Sequence, residues 1–251
     1  MIDYSAQNKK AWEYNAYEFW VTHSGTPEES AQKAKTALSP RFKRYAQYFD
    51  AFAGVKVANI CGSCGKQALS LALQGADVTI FDISEDNRRY ALETAEYAGV
   101  PLRFEVGDVL EIDLTAYGEA FDVVFMEGGV LHYFHDLHLF MAIMFGLLKP
   151  GGKMICSDFH PFNKISDCLD FEQPTMSYFS TEIVEGEMAH ARFFEKDICG
   201  QMPKCSYRKY TVSEIINAVI ESGFTLRRFD EHPAWTNPNL PGEFTLLAAR
   251  P

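Results

Sequence analysis

Short apolar runs that alternate with stretches of helical character occupy residues 55–158. The runs are VKVANIC, DVTIFDI, PLRFEVG, FDVVFME and GKMICSD. Each run has the length of a strand and is rich in β-branched or aromatic residues, which is typical of strands buried on both faces of a parallel sheet. Because strands that alternate with helices form βαβ units, this segment predicts a doubly wound α/β sheet.

The segments on either side of this core have different patterns. Residues 1–50 are predicted to be helical, and residues 51–158 form the sheet core. Residues 159–212 break the alternation, so we interpret them as an insertion over the carboxyl edge of the sheet, where inserted segments usually shape ligand pockets. The alternative is a small apolar cluster without substrate contact. Residues 213–251 are predicted to complete the core with a helix and an antiparallel hairpin.

Small residues follow the first run, and an acidic residue ends the second. Gly62 and Gly65 permit a positive φ or the close approach of a ligand. Asp82, followed by Ile83, ends strand two, where a carboxylate can accept hydrogen bonds from both hydroxyls of a ribose. The loop over residues 61–66 lacks the GxGxxG pattern, which disfavours a nicotinamide dehydrogenase. Together these residues predict a nucleoside-cofactor site.

Two further strand ends add polar groups at the same edge. Asp108 follows the third run, where its carboxylate could accept a hydrogen bond from an adenine amino group, with the backbone of Val109 nearby. The fourth run ends at Glu127 and Gly128, which are predicted to lie at the mouth of the pocket. A nucleoside would thus be contacted from three successive strand ends.

Several motifs occur in the order and spacing of one known family: NICGSCG, VTIFDIS, GDVLEID, FDVVFMEGGVLH and LLKPGGKM. From about Val55 to Asp158 the chain resembles the class I S-adenosylmethionine-dependent methyltransferases. The resemblance implies a Rossmann-like, mainly parallel seven-stranded sheet with a reversed last strand, and S-adenosyl-L-methionine as cofactor. It also implies that Asp82 holds the ribose, that Asp108 holds the adenine amino group, and that the Glu127 region contacts the amino-acid end or the substrate.

The first loop departs from the family pattern. Asn59 stands where the family has an acidic residue, Cys61 and Ser63 replace its first two glycines, and Gly65 matches the third. These changes imply a narrower loop, with Asn59 and Cys61 beside the cofactor. We interpret the CxxC of Cys61 and Cys64 as two small residues in a tight loop, with a zinc or redox motif as the alternative.

Methyl transfer from a sulfonium is an in-line displacement, so the protein mainly supplies alignment. A base is needed only where the acceptor is protonated at working pH. The candidate bases are His132 and His160, which follow strands four and five; the alternative for each is a histidine that only shapes the pocket. His135 and His138 continue an HxxHxxH series along a predicted helix over 133–148, but we predict no metal site.

Aromatic residues outside the core supply the remaining candidates. In similar small-molecule methyltransferases an N-terminal helical lid closes over the cofactor, which would place Tyr14 and Trp20 near the sulfonium, where a π face attracts a cation. The alternative is simple docking of the helix on the sheet. The acceptor pocket is predicted to be lined by residues of the insertion: Tyr178, Phe179, Phe194 and Tyr207.

Charge and composition restrict the partners. The chain carries 23 basic and 34 acidic residues, a net charge of −11, which repels nucleic-acid backbones and anionic lipid. Without a membrane span or an apolar signal segment, we expect a cytoplasmic protein with reduced cysteines. The sequence predicts an enzyme that methylates a small molecule. The alternatives are an RNA or protein methyltransferase and a nonenzymatic cofactor-binding protein, and the oligomeric state is not determined.

Overall fold

The computed structural model describes residues 3–37, 40–162, 177–188, 202–235 and 237–251. Its strands are β1 (Lys56–Ile60), β2 (Asp77–Asp82), β3 (Arg103–Val106), β4 (Phe121–Glu127), β5 (Leu148–Phe159), β6 (Ile183–Gly186), β7 (Cys205–Arg208), β8 (Thr225–Pro233) and β9 (Pro241–Ala249). A seven-stranded sheet has the order β3-β2-β1-β4-β5-β9-β8. Its first five strands are parallel, and β9 is antiparallel to both neighbours. This topology confirms the predicted fold class.

The described helices are α1 (Tyr4–Glu13), α2 (Ala16–Ser24), α3 (Pro27–Thr36), α4 (Pro40–Ala46), α5 (Lys66–Leu73), α6 (Glu85–Ala98), α7 (Leu114–Tyr117), α8 (Leu137–Leu147) and α9 (Val212–Glu221). Local sequence sets their ends. Ser84 begins α6, because its hydroxyl accepts a hydrogen bond from Asn87 N, and Thr211 begins α9 in a capping box with Glu214. Such side chains satisfy N–H groups that have no partner inside the helix.

The central strands are buried on both faces, which explains their continuous apolar character. Val57 and Val123 pack into one cluster with α5 and α6. The next residues along each strand, Ala58 and Val124, pack into a second cluster with α8 and α9. Side chains alternate between the faces of a strand, so a doubly covered sheet requires apolar residues at successive positions.

Two predicted element boundaries are wrong. The helix expected over 133–148 begins at Leu137, because the side chain of Asp136 accepts hydrogen bonds from the backbone N–H groups of His138 and Leu139, both at 3.0 Å. The preceding residues form a separate 3₁₀ turn. The fifth strand begins at Leu148, earlier than expected. A register shift separates its first residue pair with β4 from the pairs that follow. The histidines of the HxxHxxH series therefore lie on different elements.

The N-terminal helix and part of the insertion form one layer over the sheet edge, which we call the cap: α1 with the antiparallel pair β6 and β7. The Asn8 side chain joins them, since its Nδ2 donates to Ser206 O at 3.1 Å and its Oδ1 accepts from Ser206 N at 2.7 Å. Among the helices that the structure describes, none has the length and apolar character of a membrane span. The division into four segments stays a prediction.

Candidate active site

A cavity of about 1600 Å³ lies between the cap and the carboxyl ends of the central strands. We call the opposite side the sheet wall: the carboxyl ends of β1, β2, β4 and β5 with the loops that follow strands β1 to β5. Pockets for one small molecule usually measure roughly 300–1,000 Å³. The cavity is therefore large enough for a cofactor together with a second small molecule.

Asp82 ends β2 and lies in the sheet wall with 6% of its surface exposed. Its Oδ2 accepts a hydrogen bond from Ser63 N at 2.9 Å, and its Oδ1 accepts from Ser84 N and Asn87 Nδ2, both at 3.1 Å. Burial raises the pKa of Asp82, while these hydrogen bonds oppose the shift. A carboxylate oxygen can accept more than one hydrogen bond, so Asp82 keeps acceptor capacity for a ligand in the cavity.

In the loop after β1, two residues that are not glycine have the positive φ angles that are typical of glycine. Cys61 has φ of 50° and Ser63 has φ of 51°, a region in which L-residues are strained. At Gly62 a Cβ would lie 2.4 Å from Asn59 Oδ1, so no side chain fits there. Asn59 Oδ1 and Ser63 Oγ are buried without a hydrogen-bond partner among the described residues. The loop therefore keeps its tight course without the family's first two glycines.

Of the two cysteines of the CxxC, Cys64 is buried and Cys61 is partly buried at the cavity wall. Burial raises the pKa of Cys61 well above its ordinary value, and the nearby carboxylates of Asp82, Asp108 and Asp158 raise it further. Burial also raises the pKa of Cys64 to about 12. Since the thiolate is the form that binds metals and attacks disulfides, these positions favour the small-residue interpretation over zinc or redox chemistry.

Other charged groups extend the sheet wall. Asp108 Oδ1 accepts a hydrogen bond from Leu110 N at 2.8 Å. Glu127 Oε2 accepts from Tyr45 Oη at 3.0 Å and lies 3.5 Å from Arg41 Nη1. Burial raises the pKa of Glu127, and Arg41 and Tyr45 oppose that shift. The guanidinium of Arg41 therefore lies beside the acidic residue that ends β4.

The two candidate bases have different surroundings, although both line the cavity. His160 Nδ1 accepts a hydrogen bond from Phe162 N at 3.0 Å, and its Nε2 lies 2.9 Å from Glu231 Oε1. Protein groups therefore contact both ring nitrogens, which favours the alternative in which His160 shapes the pocket. The His132 ring lies between aromatic rings, with its centroid 6.3 Å from that of Phe159 and 5.9 Å from that of Tyr207.

Most of the residues predicted from the sequence lie at the cavity wall: Asn59, Cys61, Gly62, Asp82, Ile83, Asp108, Val109, Glu127, Gly128, Trp20, His132, His160 and Tyr207. Gly65 lies behind the wall at the start of α5. A Cβ on Gly65 would lie 2.8 Å from Ala91 Cβ, so this glycine permits α5 and α6 to pack. The cofactor and substrate roles of these residues stay predictions.

Three other aromatic residues predicted for the site, Tyr14, Tyr178 and Phe179, are not among the described residues that line this cavity. Tyr14 packs in the apolar cluster between α1 and the described part of the insertion, and it is not among the described residues that line the cavity. Tyr178 accepts a hydrogen bond from Val212 N at 2.9 Å, and Phe179 is 77% exposed. Phe194 lies outside the described residues.

Sequence reasoning missed three polar residues at this site. Arg41 gave no signal, because a basic residue in an N-terminal helix usually faces solvent. Asn87 lies in the first turn of α6, and its contact with Asp82 depends on the fold. Asp158 is next to last in β5, at the same edge of the sheet as Asp82, so the rule that identified Asp82 could have found it.

Comparison with known proteins agrees with this description. Residues 60–156 match the family model of the methyltransferase domain. The ubiquinone biosynthesis O-methyltransferase of Cereibacter sphaeroides is 37% identical over 108 residues, 42% of each chain. The protein of the same name from Roseobacter denitrificans is 33% identical over 123 residues, 49% of this chain and 48% of that one. The matched region thus spans less than half the length of each of these relatives.

Solved structures of low sequence identity share the fold over a longer range. Magnesium protoporphyrin IX methyltransferase from Synechocystis PCC 6803, determined with bound SAH, has a TM-score of 0.64 at 16% identity and covers 99% of this chain and 100% of that one. An S-adenosylmethionine-dependent methyltransferase from Mesorhizobium loti has a TM-score of 0.63 at 20% identity, over 84% and 98%. The fold is that of a class I methyltransferase. Residues 60–156 thus match a methyltransferase domain, within a chain that has this fold.

Proposed function

We propose that the protein transfers a methyl group from S-adenosyl-L-methionine to an oxygen atom of a small molecule. The observation that carries the proposal is a single cavity lined both by strand-end carboxylates suited to a nucleoside and by His132, which is suited to accept a proton. Two relatives named as O-methyltransferases support oxygen as the acceptor atom. The volume of the cavity supports the binding of both molecules together.

The residues of the sheet wall fit this cofactor. Asp82 would hold the ribose hydroxyls, and Asp108 with the backbone of Val109 would contact the adenine. Gly62 lets the loop lie directly against the side chain of Asn59 at the end of β1, where a Cβ would meet Asn59 Oδ1. Arg41 would pair with the carboxylate of the methionine portion, since a guanidinium matches a carboxylate in charge and shape.

The acidic residues around the loop after β1 favour a ligand that is positively charged before methyl transfer and neutral after it. S-adenosyl-L-methionine supplies a methyl group on a positively charged sulfonium. The carboxylates of Asp82, Asp108 and Asp158 lie close enough to Cys61 to raise its pKa, which supports an attraction between the loop and a cation. Fixed charges of this kind favour the bound cation without any reorganisation during the reaction. The neutral product, S-adenosylhomocysteine, has no such attraction and is expected to leave more readily.

The N-terminal helices would close this site over the cofactor. Trp20 lines the cavity, and its indole N–H donates to Asn87 Oδ1 at 2.8 Å. Asn87 Nδ2 in turn donates to Asp82 Oδ1 at 3.1 Å. This chain of hydrogen bonds connects α2 directly to the proposed ribose acceptor, and it keeps the indole face close to the cofactor position.

An oxygen acceptor has a proton to lose, and His132 would take it. S-adenosyl-L-methionine would supply the methyl group and keep the carbon–sulfur bonding pair, and the imidazole of His132 would accept the proton that the acceptor oxygen loses. The rings of Phe159 and Tyr207 flank His132. Aromatic walls of this kind hold planar groups by edge or face contacts, so an aromatic alcohol fits this part of the cavity.

Methyl transfer to a panel of catechols, simple phenols and aliphatic alcohols tests the proposal, with product mass and NMR showing the methylated atom. We expect an O-methyl product. His132→Ala should lower kcat by about 10²–10⁴-fold, the usual contribution of a general base, with little change in the affinity for S-adenosylhomocysteine. His138→Ala is the matched control, because His138 is exposed and lies 3.4 Å from Glu221. An unchanged kcat in His132→Ala would exclude the base role.

A further inference from the structure

The segment between β4 and the 3₁₀ turn Leu131–Tyr133 is bent tightly against the end of β5. Gly128 has φ of 89° and Gly129 has φ of 93°, conformations that favour glycine. At Gly129 a Cβ would lie 2.4 Å from Phe159 Cε2. Because the backbone lies directly on the Phe159 ring, the course of this segment depends on the residues that end β5.

Asp158 fixes the same segment by hydrogen bonds. Its Oδ2 accepts from Val130 N and Leu131 N, both at 2.8 Å, and its Oδ1 accepts from Phe159 N at 2.6 Å. The residue is 4% exposed. A buried carboxylate is tolerated only with such partners, and hydrogen bonds to an ionised acceptor are about twice as strong as neutral ones.

The two backbone groups held by Asp158 belong to the residues that precede His132. Fixing them determines the direction in which the His132 side chain leaves the backbone, since only one residue separates Val130 from His132. Phe159, the next residue after Asp158, lies near-parallel to the His132 ring, with an interplanar angle of 23°. The end of β5 therefore controls both the backbone and one aromatic neighbour of His132.

We infer that Asp158 is a positioning residue, whose carboxylate holds the turn that places His132 in the cavity. The inference rests on the proposed methyl transfer, in which His132 is the base. Asp158 does not exchange a proton with the acceptor in this account. It acts through the two N–H groups that it holds, so its loss should affect turnover and the His132 ring more than cofactor binding.

Two variants separate positioning from simple structural support. Asp158→Ala removes the acceptor, whereas Asp158→Asn keeps a carbonyl oxygen that can accept both N–H groups, although its amide would face Phe159 N. We expect kcat to fall about 10- to 100-fold in Asp158→Ala and less in Asp158→Asn, a partial rescue. The Kd for S-adenosylhomocysteine should change less than threefold. Asp113→Ala is the matched control, since Asp113 accepts from Thr115 N at 2.8 Å on an exposed turn.

A second readout does not require turnover. Hydrogen exchange should show Val130 and Leu131 amides that exchange at least tenfold faster in Asp158→Ala than in the wild type, with β4 amides unchanged. The His132 ring signals, assigned by their loss in His132→Ala, should shift in both Asp158 variants. Unchanged ring signals and exchange, or an unchanged kcat in both variants, would overturn the inference. If the wild type turned over no acceptor but showed these NMR effects, positioning would stand and the proposed function would fail.

Discussion

The two sides of the cavity are held by hydrogen bonds that span different separations along the chain. In the sheet wall, carboxylates accept from backbone N–H groups of nearby loops, as Asp82 does from Ser63 N and Ser84 N. In the cap, side-chain groups connect distant parts of the chain: Asn8 and Ser206 are separated by 198 positions. Much of the sheet wall is therefore held by contacts between neighbouring strand ends, whereas the cap joins two segments that are far apart in the chain and forms only when the fold is complete.

The largest expected effect is on the sheet wall. Asp82→Ala should weaken the binding of S-adenosyl-L-methionine by about 1.5–3 kcal/mol, the contribution of hydrogen bonds to a charged group. Equilibrium dialysis with labelled cofactor measures this directly. Asp77→Ala, at the other end of β2 beside Arg103, is the control and should bind normally. Equal affinity in Asp82→Ala and the wild type would show that the ribose lies elsewhere.

The next effect concerns the cap. Asn8→Ala leaves the buried N–H and C=O of Ser206 without their partner, which should lower the free energy of unfolding by about 1–3 kcal/mol. Denaturant unfolding measures the change. Gln7→Ala is the neighbouring control, because Gln7 donates a hydrogen bond to Glu185 in an exposed position. This substitution should lower the free energy of unfolding only slightly. Should Asn8→Ala weaken cofactor binding as much as Asp82→Ala, the separation between cap and sheet wall would be lost.

A smaller effect is expected in the loop after β1. Ser63→Gly removes the strain of a positive φ. The greater conformational entropy of glycine in the unfolded chain offsets part of this gain, so the substitution should stabilise the protein by about 0.5–1 kcal/mol. Ser63→Ala keeps the Cβ and removes only the hydroxyl. It therefore distinguishes the effect of backbone strain on stability from the effect of the buried Oγ. A thermal unfolding midpoint that rises equally in both variants would assign the effect to the hydroxyl instead.

The smallest effect is a pH dependence in the cap. Burial, with Arg208 adding to it, lowers the pKa of His135 below 6.5, and His135 Nε2 lies 3.2 Å from Ser206 Oγ. Between the lowered value and 6.5 the unfolded chain binds a proton that the folded protein does not, so stability falls as pH falls through this window.

His135→Gln should therefore lose less stability than the wild type between pH 7.5 and pH 5.5. His138→Gln, a change of an exposed histidine, should follow the wild type. Unfolding midpoints at the two pH values give the comparison. Identical losses in His135→Gln and the wild type would remove His135 as a source of pH dependence in the cap.

The same contrast explains how far the sequence could predict the site. Asp82, Asp108 and Glu127 follow predicted strands, and parallel strands bring their carboxyl ends to one edge, so strand order along the chain was sufficient to group them. Tyr178 and Phe179 were predicted from aromatic content, which indicates burial but not direction. The Asn8–Ser206 contact has no local signal, because neither residue type is rare and their pairing depends on how the insertion folds back.

The most direct test of the account is a crystal structure of the protein with S-adenosylhomocysteine. We expect one molecule per chain in the cavity, with its ribose hydroxyls within hydrogen-bond distance of Asp82 and its adenine beside Asp108 and Val109. Its sulfur should face the side of the cavity that holds His132. S-adenosylhomocysteine bound elsewhere, or absent from crystals grown at saturating ligand, would contradict it.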